Sequence, residues 1–375
     1  MAVPVSTSLR RWWARALFGC VGADLPPEVV LLVRLLAIAW LLTGHALLLP
    51  TRSVPFFEIL APIADSPVVG WAEFVVGAVC AVQLLLGRAV RVSALTLGCL
   101  IFVTTLLSRA YFSNNRLYTA CLLVLAGLEA SKGSKPLLRA QVIVLYVAAG
   151  FDKLLDPDWR SGAFLHSFAS GLASYGRLWS PGHDATTAYL PARIFGSLLD
   201  THPGLAAVAS WGTFFTEIGI GLALLAGRRR VGITLGLAFH SALLLYTGSP
   251  MGMFFYAATA SYFAFVDLPS RIDVRAGPRT YALARPVLAA VDADGRCSLQ
   301  LGTALSVTIA GETRTGANAL LGLVVGLPAF YVATAVILAG PWFTPWSALI
   351  LLMLVAAFRP FGSLAARTEI REVTG

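Results

Sequence analysis

The chain has 375 residues, of which 57% are hydrophobic and only 13% charged, and its mean hydropathy is +0.77. No soluble domain hides so much apolar surface, so lipid must solvate part of it, and an all-α integral membrane protein is expected, a polytopic helical bundle. The formal charge of +9 would suit nucleic acid, but Lys and Arg sit in short groups between apolar runs, where they read as topology signals. No nucleic-acid partner is expected.

Residues 1–27, "MAVPVSTSLRRWWARALFGCVGADLPP", mix Arg and Trp without an apolar core long enough for a signal peptide. They read as an amphipathic segment on the membrane surface. Ten apolar stretches long enough to cross follow, near 28–49, 68–87, 92–109, 116–130, 138–156, 205–226, 231–247, 250–267, 317–340 and 343–358. The fourth and the last are short and are expected to be tilted or partly shielded. Arg10, Arg11 and Arg15 precede the first span. Further basic groups follow the second (Arg88, Arg91), the fourth (Lys132, Lys135, Arg139), the sixth (Arg228 to Arg230) and the eighth (Arg271, Arg275, Arg279, Arg285). Alternate loops are therefore basic, which puts both termini in the cytoplasm of a multi-pass protein of the cell membrane.

Two regions break this rhythm. The stretch 157–204 reads as a long external loop with a surface helix in "GAFLHSFASGLASYG", the kind of segment that often forms a functional lid. The stretch 268–316 alternates apolar and polar residues in "CSLQLGTALSVTIAGETRTG", which predicts a small β-like insert on the cytoplasmic side. Two further spans within 317–358 and a basic cytoplasmic tail, 359–375, complete the chain. Five scattered cysteines and five histidines show no ligand spacing, so no metal site is expected.

An ionisable group inside a span is costly and is usually kept because it faces a cavity or a bundle interior. Lys153 lies fourteen residues beyond Arg139, roughly 21 Å across at the helical rise. Tyr146 and Gly150 share its face, and Asp152, about 100° around the helix, does not simply neutralise it. The plain alternative is a lysine reaching outward to the headgroups. Glu217 and His240 fall at matched depth, roughly 15–16 Å from the inner face on adjacent antiparallel helices. They suggest a pair, two walls of one cavity, or a structural hydrogen bond. Asn114, Asn115 and Arg116, in "SNNRLY", stand at the outer start of the fourth span, where cap residues are ordinary. Arg34 and Glu73 lie near span starts and are expected at the membrane interface.

Taken together, three blocks resemble the HTTM membrane domain, the family that includes vitamin K-dependent gamma-carboxylase. They are "VLYVAAGFDKLLDPDWRSGAFL", "TEIGIGLALLAGRRRVGITLGLAFHSALLLYTGSPMGMF" and "SNNRLY", and the resemblance covers roughly 25–267. It implies an eight-helix core and a quinone or hydroquinone, vitamin K-like, as the cofactor. It also implies that Lys153 is the base that deprotonates the quinol, with His240 and Glu217 beside it in a catalytic role. Tyr146, Gly150 and Trp159 would border the ligand, as would Asn114, Asn115 and Arg116. A lysine in apolar surroundings can be neutral and accept a proton, which fits that role. Arg116 departs from the family block, which has His there, and one extra residue separates Lys153 from Trp159. The family's large lumenal domain has no counterpart before the last two spans, so carboxylation of protein glutamates is not expected. "DADGRCSL" is faintly similar to the start of a thiol-disulfide motif, but Gln300 stands at the second cysteine position and the segment reads as a turn.

Three functions compete. The first is quinol-linked oxidation or carboxylation at Lys153 with a lipidic ligand. The second is a non-catalytic membrane partner, similar to the quinone-binding subunits of DoxX type, with 268–358 docking another membrane protein. The third is proton-coupled transport through Lys153, Glu217 and His240, which no inverted repeat supports.

Overall fold

The computed structural model describes residues 25–42, 54–109, 112–129, 135–175, 190–247, 252–292 and 294–339. The expected amphipathic segment up to residue 24, the tenth span and the basic tail lie outside the described residues. The chain is mostly helical. In order come α1 (Pro27–Leu42), α2 (Pro67–Leu85), α3 (Val90–Leu107), α4 (Asn114–Leu128) and α5 (Pro136–Leu155). They are followed by α6 (Pro157–Ser161), α7 (Ala163–Tyr175), α8 (Leu190–Thr201), α9 (Pro203–Leu225), α10 (Arg229–Thr247) and α11 (Gly252–Ser261). Pro27, Pro67, Pro136 and Pro203 each open a helix, where a missing N–H costs nothing and φ is already helical.

Among the described residues α2, α3 and α9 are long and apolar enough to cross a membrane. Two other expected spans differ for identifiable reasons. Helix α4 has 15 residues, short of the roughly 20 that a perpendicular crossing needs. Helix α5 carries Arg139, Asp152 and Lys153. Helix α11, described from Gly252, passes into a 3-10 turn that ends at Phe265. The external stretch expected to be an irregular loop is helical where described, as α6, α7 and α8, and α7 covers the surface helix expected there.

The insert is a two-layer α/β element and not strands alone. Strands β1 (Ile272–Ala276) and β2 (Cys297–Leu301) run parallel and are joined through α12 (Pro278–Val291). Strands β3 (Ser306–Ile309) and β4 (Glu312–Thr315) add antiparallel, giving the order β2-β1-β3-β4. Ile272, Val274, Val307 and Ile309 share one face and bury it against Leu288 of α12 and against Ala319 and Leu323 of the next helix, α13 (Gly316–Gly326). The ninth stretch is therefore not one straight helix. Its first half covers the sheet, and a bend of 74° at Leu327 separates it from α14 (Pro328–Ala339), where Pro328 withholds a helical donor. The turn expected at Asp292 forms, with both Asp292 oxygens accepting the Arg296 and Cys297 N–H groups at 3.0 and 2.7 Å. Burial, reinforced by the Asp292 carboxylate, pushes the Cys297 thiol up to about 12, which suits inert packing.

The described residues divide into two compact units, one drawn from Met1–Arg139 and Tyr256–Trp342, the other from Ala140–Phe255. In the first unit Lys135, fully buried, donates to Glu28 Oε1 at 2.7 Å, to the Val266 carbonyl at 2.7 Å and to Asp267 Oδ1 at 2.9 Å. One ammonium thus ties the start of α1, the start of α5 and the run into β1. Arg34, expected at the interface, is 1% exposed, its guanidinium against the turn at Gly87 between α2 and α3. Packing of α1 on α2 covers it, and its length lets the charge reach back to that turn.

Lys135→Met should cost about 3–5 kcal/mol, because Glu28 is left buried without its partner. Replacing Lys135 and Glu28 together by Met should recover most of that loss. Thermal unfolding of the detergent-solubilised protein, followed by circular dichroism, measures both.

Candidate functional site

The second unit holds the site, and the sequence of α5 explains how. Tyr146, Gly150 and Lys153 recur at four and three residues, so they form one stripe. Helix α9 answers with Glu217, Ile218 and Gly221. The two helices run antiparallel and mesh residue by residue. A Cβ at Gly150 would stand 2.6 Å from Ile218 Cγ1, and one at Gly221 would stand 2.7 Å from Val147 Cγ2. Two missing side chains let the backbones approach closely, as small residues do between membrane helices. Ile218 thus packs directly against Gly150.

That close approach brings Lys153 Nζ to 2.6 Å from Glu217 Oε2. The side chains are 18% and 11% exposed, so little water competes for the pair. The ammonium also donates to the Ala149 carbonyl at 3.3 Å, and its Nζ lies 5.0 Å from the centroid of the Trp159 ring, within cation–π range. Lys153 is thus not the lone desolvated amine the sequence suggested. It is the cationic half of a short, charge-assisted pair.

Trp159 arrives there through the acidic stretch after α5. Asp156 caps α6, its Oδ1 accepting the Asp158 N–H at 2.8 Å, and Pro157 occupies the first helical position. Gly162 ends the turn at φ +82°, and any Cβ there would meet the Ala207 nitrogen of α9 at 2.4 Å. Gly162 is needed twice, for the left-handed cap and for contact with α9. Trp159 then stacks on Phe164, with centroids 4.5 Å apart, and Phe164 is followed by Phe168. "DPDWRSG" is therefore a capped single turn that holds an indole over an ammonium.

His240 does not pair with Glu217, as matched depth had suggested. Its Nε2 lies 2.6 Å from the Tyr146 hydroxyl, and its ring packs edge-on against Phe254 and Phe255. Each of the two groups takes its partner from α5, because α5 faces both α9 and α10. Asp152 is exposed and stands apart from Lys153. Asn114, Asn115 and Arg116 belong to the first unit, in the opening turn of α4, where Ser113 is the cap and accepts the Arg116 N–H at 3.3 Å. Ile218, Gly221 and Gly162 were missed from the sequence. The spacing Glu217 to Gly221, one helical turn, was the signal for the first two, and a Gly three residues after Trp159 for the third.

Chemically, the cluster offers a cation and an anion that can exchange a proton with no change of net charge, beside an aromatic face. Some 10 Å further along α5, at seven residues, a phenol and an imidazole form a second proton-carrying pair.

Gly150→Val should drive α5 and α9 apart and destabilise the protein, by about 1–3 kcal/mol for overpacking. Adding Ile218→Ala should return part of the loss. A thermal-unfolding double-mutant cycle reads the coupling, which should be clearly non-zero for residues in contact. No family model, characterised protein or solved structure matches this chain.

Proposed function

We propose that the chain is a multi-pass membrane protein of the HTTM, vitamin K-dependent carboxylase-like kind. Its membrane core would be the eight apolar segments between 28 and 267, with further apolar stretches at 317–340 and 343–358 and both termini cytoplasmic. In this reading it binds a quinone-like lipidic molecule beside Lys153 and takes a proton from it. The observation that carries the reading is the Lys153–Glu217 pair, 2.6 Å apart, shielded from water and flanked by the Trp159 ring. These residues fit such a guest: an aromatic ring to pack against, a carboxylate to accept a hydroxyl hydrogen and an ammonium to hold negative charge. A hydroquinone would supply an acidic ring hydroxyl and, on oxidation, two electrons for the linked oxidation or carboxylation.

The chain's own groups then divide the work. Glu217 accepts the hydrogen bond and, with it, the proton. Lys153 keeps the carboxylate oriented and holds the negative charge left on the deprotonated guest. Trp159 stabilises the excess positive charge that the pair carries once protonated. Desolvation makes each of these interactions stronger than it would be in water. Gly150 and Gly221 act indirectly, by fixing the distance between the two helices.

A second reading is favoured by one observation. Tyr146 lies two turns along α5 from Lys153 and pairs with His240 of α10, and the two could pass a proton inward, which would make the site a step in proton-coupled transport.

Mass spectrometry of lipids extracted with the purified protein separates these readings. Wild type and Asp152→Asn should carry a quinone, and Lys153→Ala and Glu217→Gln should lose most of it. Identical lipid profiles in all four would overturn the quinone reading. Proton uptake by liposomes holding the wild type, abolished in Tyr146→Phe, would favour transport instead.

A further inference from the structure

Helix α12 has an outer side that the sheet does not explain. Its inner stripe, Ala284, Leu288 and Val291, packs on the sheet. The flank next to this stripe is also apolar, with Leu283 at 73% and Val287 at 58% exposure. Ala282, Pro286 and Ala289 are exposed beside them. A helix that is apolar on its flank as well has to cover both. The two charges on α12, Arg279 and Arg285, are exposed, and among the described residues neither forms an ion pair. Of the insert's other arginines, Arg271, Arg296 and Arg314 bridge to Asp273, Asp294 and Glu312, and Arg275 is exposed on β1.

The neighbouring surfaces say what kind of partner fits. The far face of the sheet is polar, since Asp273 lies in register with Ser298 and Thr308, and Arg275 with Gln300 and Ser306. The helical layer is the opposite, for α13 beside α12 exposes Leu320 at 54%. The insert is also tethered close to the apolar helices of its unit. Strand β1 starts five residues after Asp267, which Lys135 binds, so the strand can stand no more than about 17 Å from that anchor. The chain leaves again at α13, where a Cβ at Gly326 would be 2.7 Å from Ile272 Cδ1, and continues into α14 on α1. Pro286 further removes the helical donor for the Ala282 carbonyl, which suits an interface with water or headgroups better than hydrocarbon.

We infer that α12 is a membrane-surface helix: Leu283 and Val287 enter the acyl boundary of the leaflet next to the insert, and Arg279 and Arg285 bind anionic lipid headgroups. Apolar burial supplies the anchor and the two arginines supply the preference for negatively charged lipid. The polar sheet face is left to water. This inference does not depend on the quinone reading.

The test uses the full chain in nanodiscs of phosphatidylcholine, with and without phosphatidylserine. A bimane label is placed by Leu283→Cys or, on the polar face, by Thr313→Cys, and each signal is corrected for the unsubstituted protein, whose five cysteines give the background. Brominated lipids should quench the label at 283 several-fold more than the label at 313, and more strongly when phosphatidylserine is present. Arg279→Glu with Arg285→Glu should abolish that dependence on anionic lipid. Equal quenching at 283 and 313 by aqueous iodide, with none by bromolipid, would overturn the inference. A label at 283 shielded from both quenchers would also overturn it, pointing to a protein partner. Hydrogen exchange across 278–291 in the same nanodiscs gives a label-free check, since protection should rise with phosphatidylserine content.

Discussion

The constraint that organises this molecule is the cost of holding charge away from water. A buried ammonium is tolerable only beside an acceptor that matches it, and both shielded lysines follow that rule. Lys135 takes two carboxylates and a carbonyl, Lys153 one carboxylate, one carbonyl and the face of an indole. The two sites are nonetheless different in kind. Lys135 is completely enclosed and joins three stretches of chain far apart in sequence, which is what a structural tie requires. Lys153 and Glu217 retain partial exposure, and their third neighbour is an aromatic ring, which leaves directions from which a guest can approach.

The short distance between Lys153 and Glu217 is not set by the charges themselves. Long side chains pair at many separations, and a pair held only by its own attraction gains little against the entropy of ordering it. Here the spacing of the two backbones is fixed beforehand, because Gly150 and Gly221 admit Ile218 and Val147. Gly162 then fixes the turn that carries Trp159. Three glycines therefore impose the geometry that one lysine, one glutamate and one tryptophan use. Preorganisation of that sort is what distinguishes a site from a chance contact.

Much of this was legible in the sequence, and the failures have physical reasons. Helical periodicity placed Tyr146, Gly150 and Lys153 on one face, and depth counting put Glu217 and His240 inside the apolar layer. Partner choice could not be read that way. Depth orders residues along an axis but says nothing about rotation around it, and rotation is what sends Glu217 to Lys153 and His240 to Tyr146. The same gap explains Gly150, whose lack of a side chain was recognised although its occupant, Ile218, was not.

The stretch 317–340 shows the complementary limit. Its composition is uniformly apolar, so a hydropathy count sees one span. Yet Ala319 and Leu323 complete a sheet core, and α14, from Pro328 onward, packs on α1. An apolar run can be solvated by lipid or by its own protein, and composition does not distinguish the two solvents. What distinguishes them is the alternation just upstream, where Val307 and Ile309 present an apolar face that needs a cover. The first helix after a strand pair is the nearest cover the chain can supply, so a short hydrophobic segment following an alternating one is better assigned to the sheet than to the bilayer.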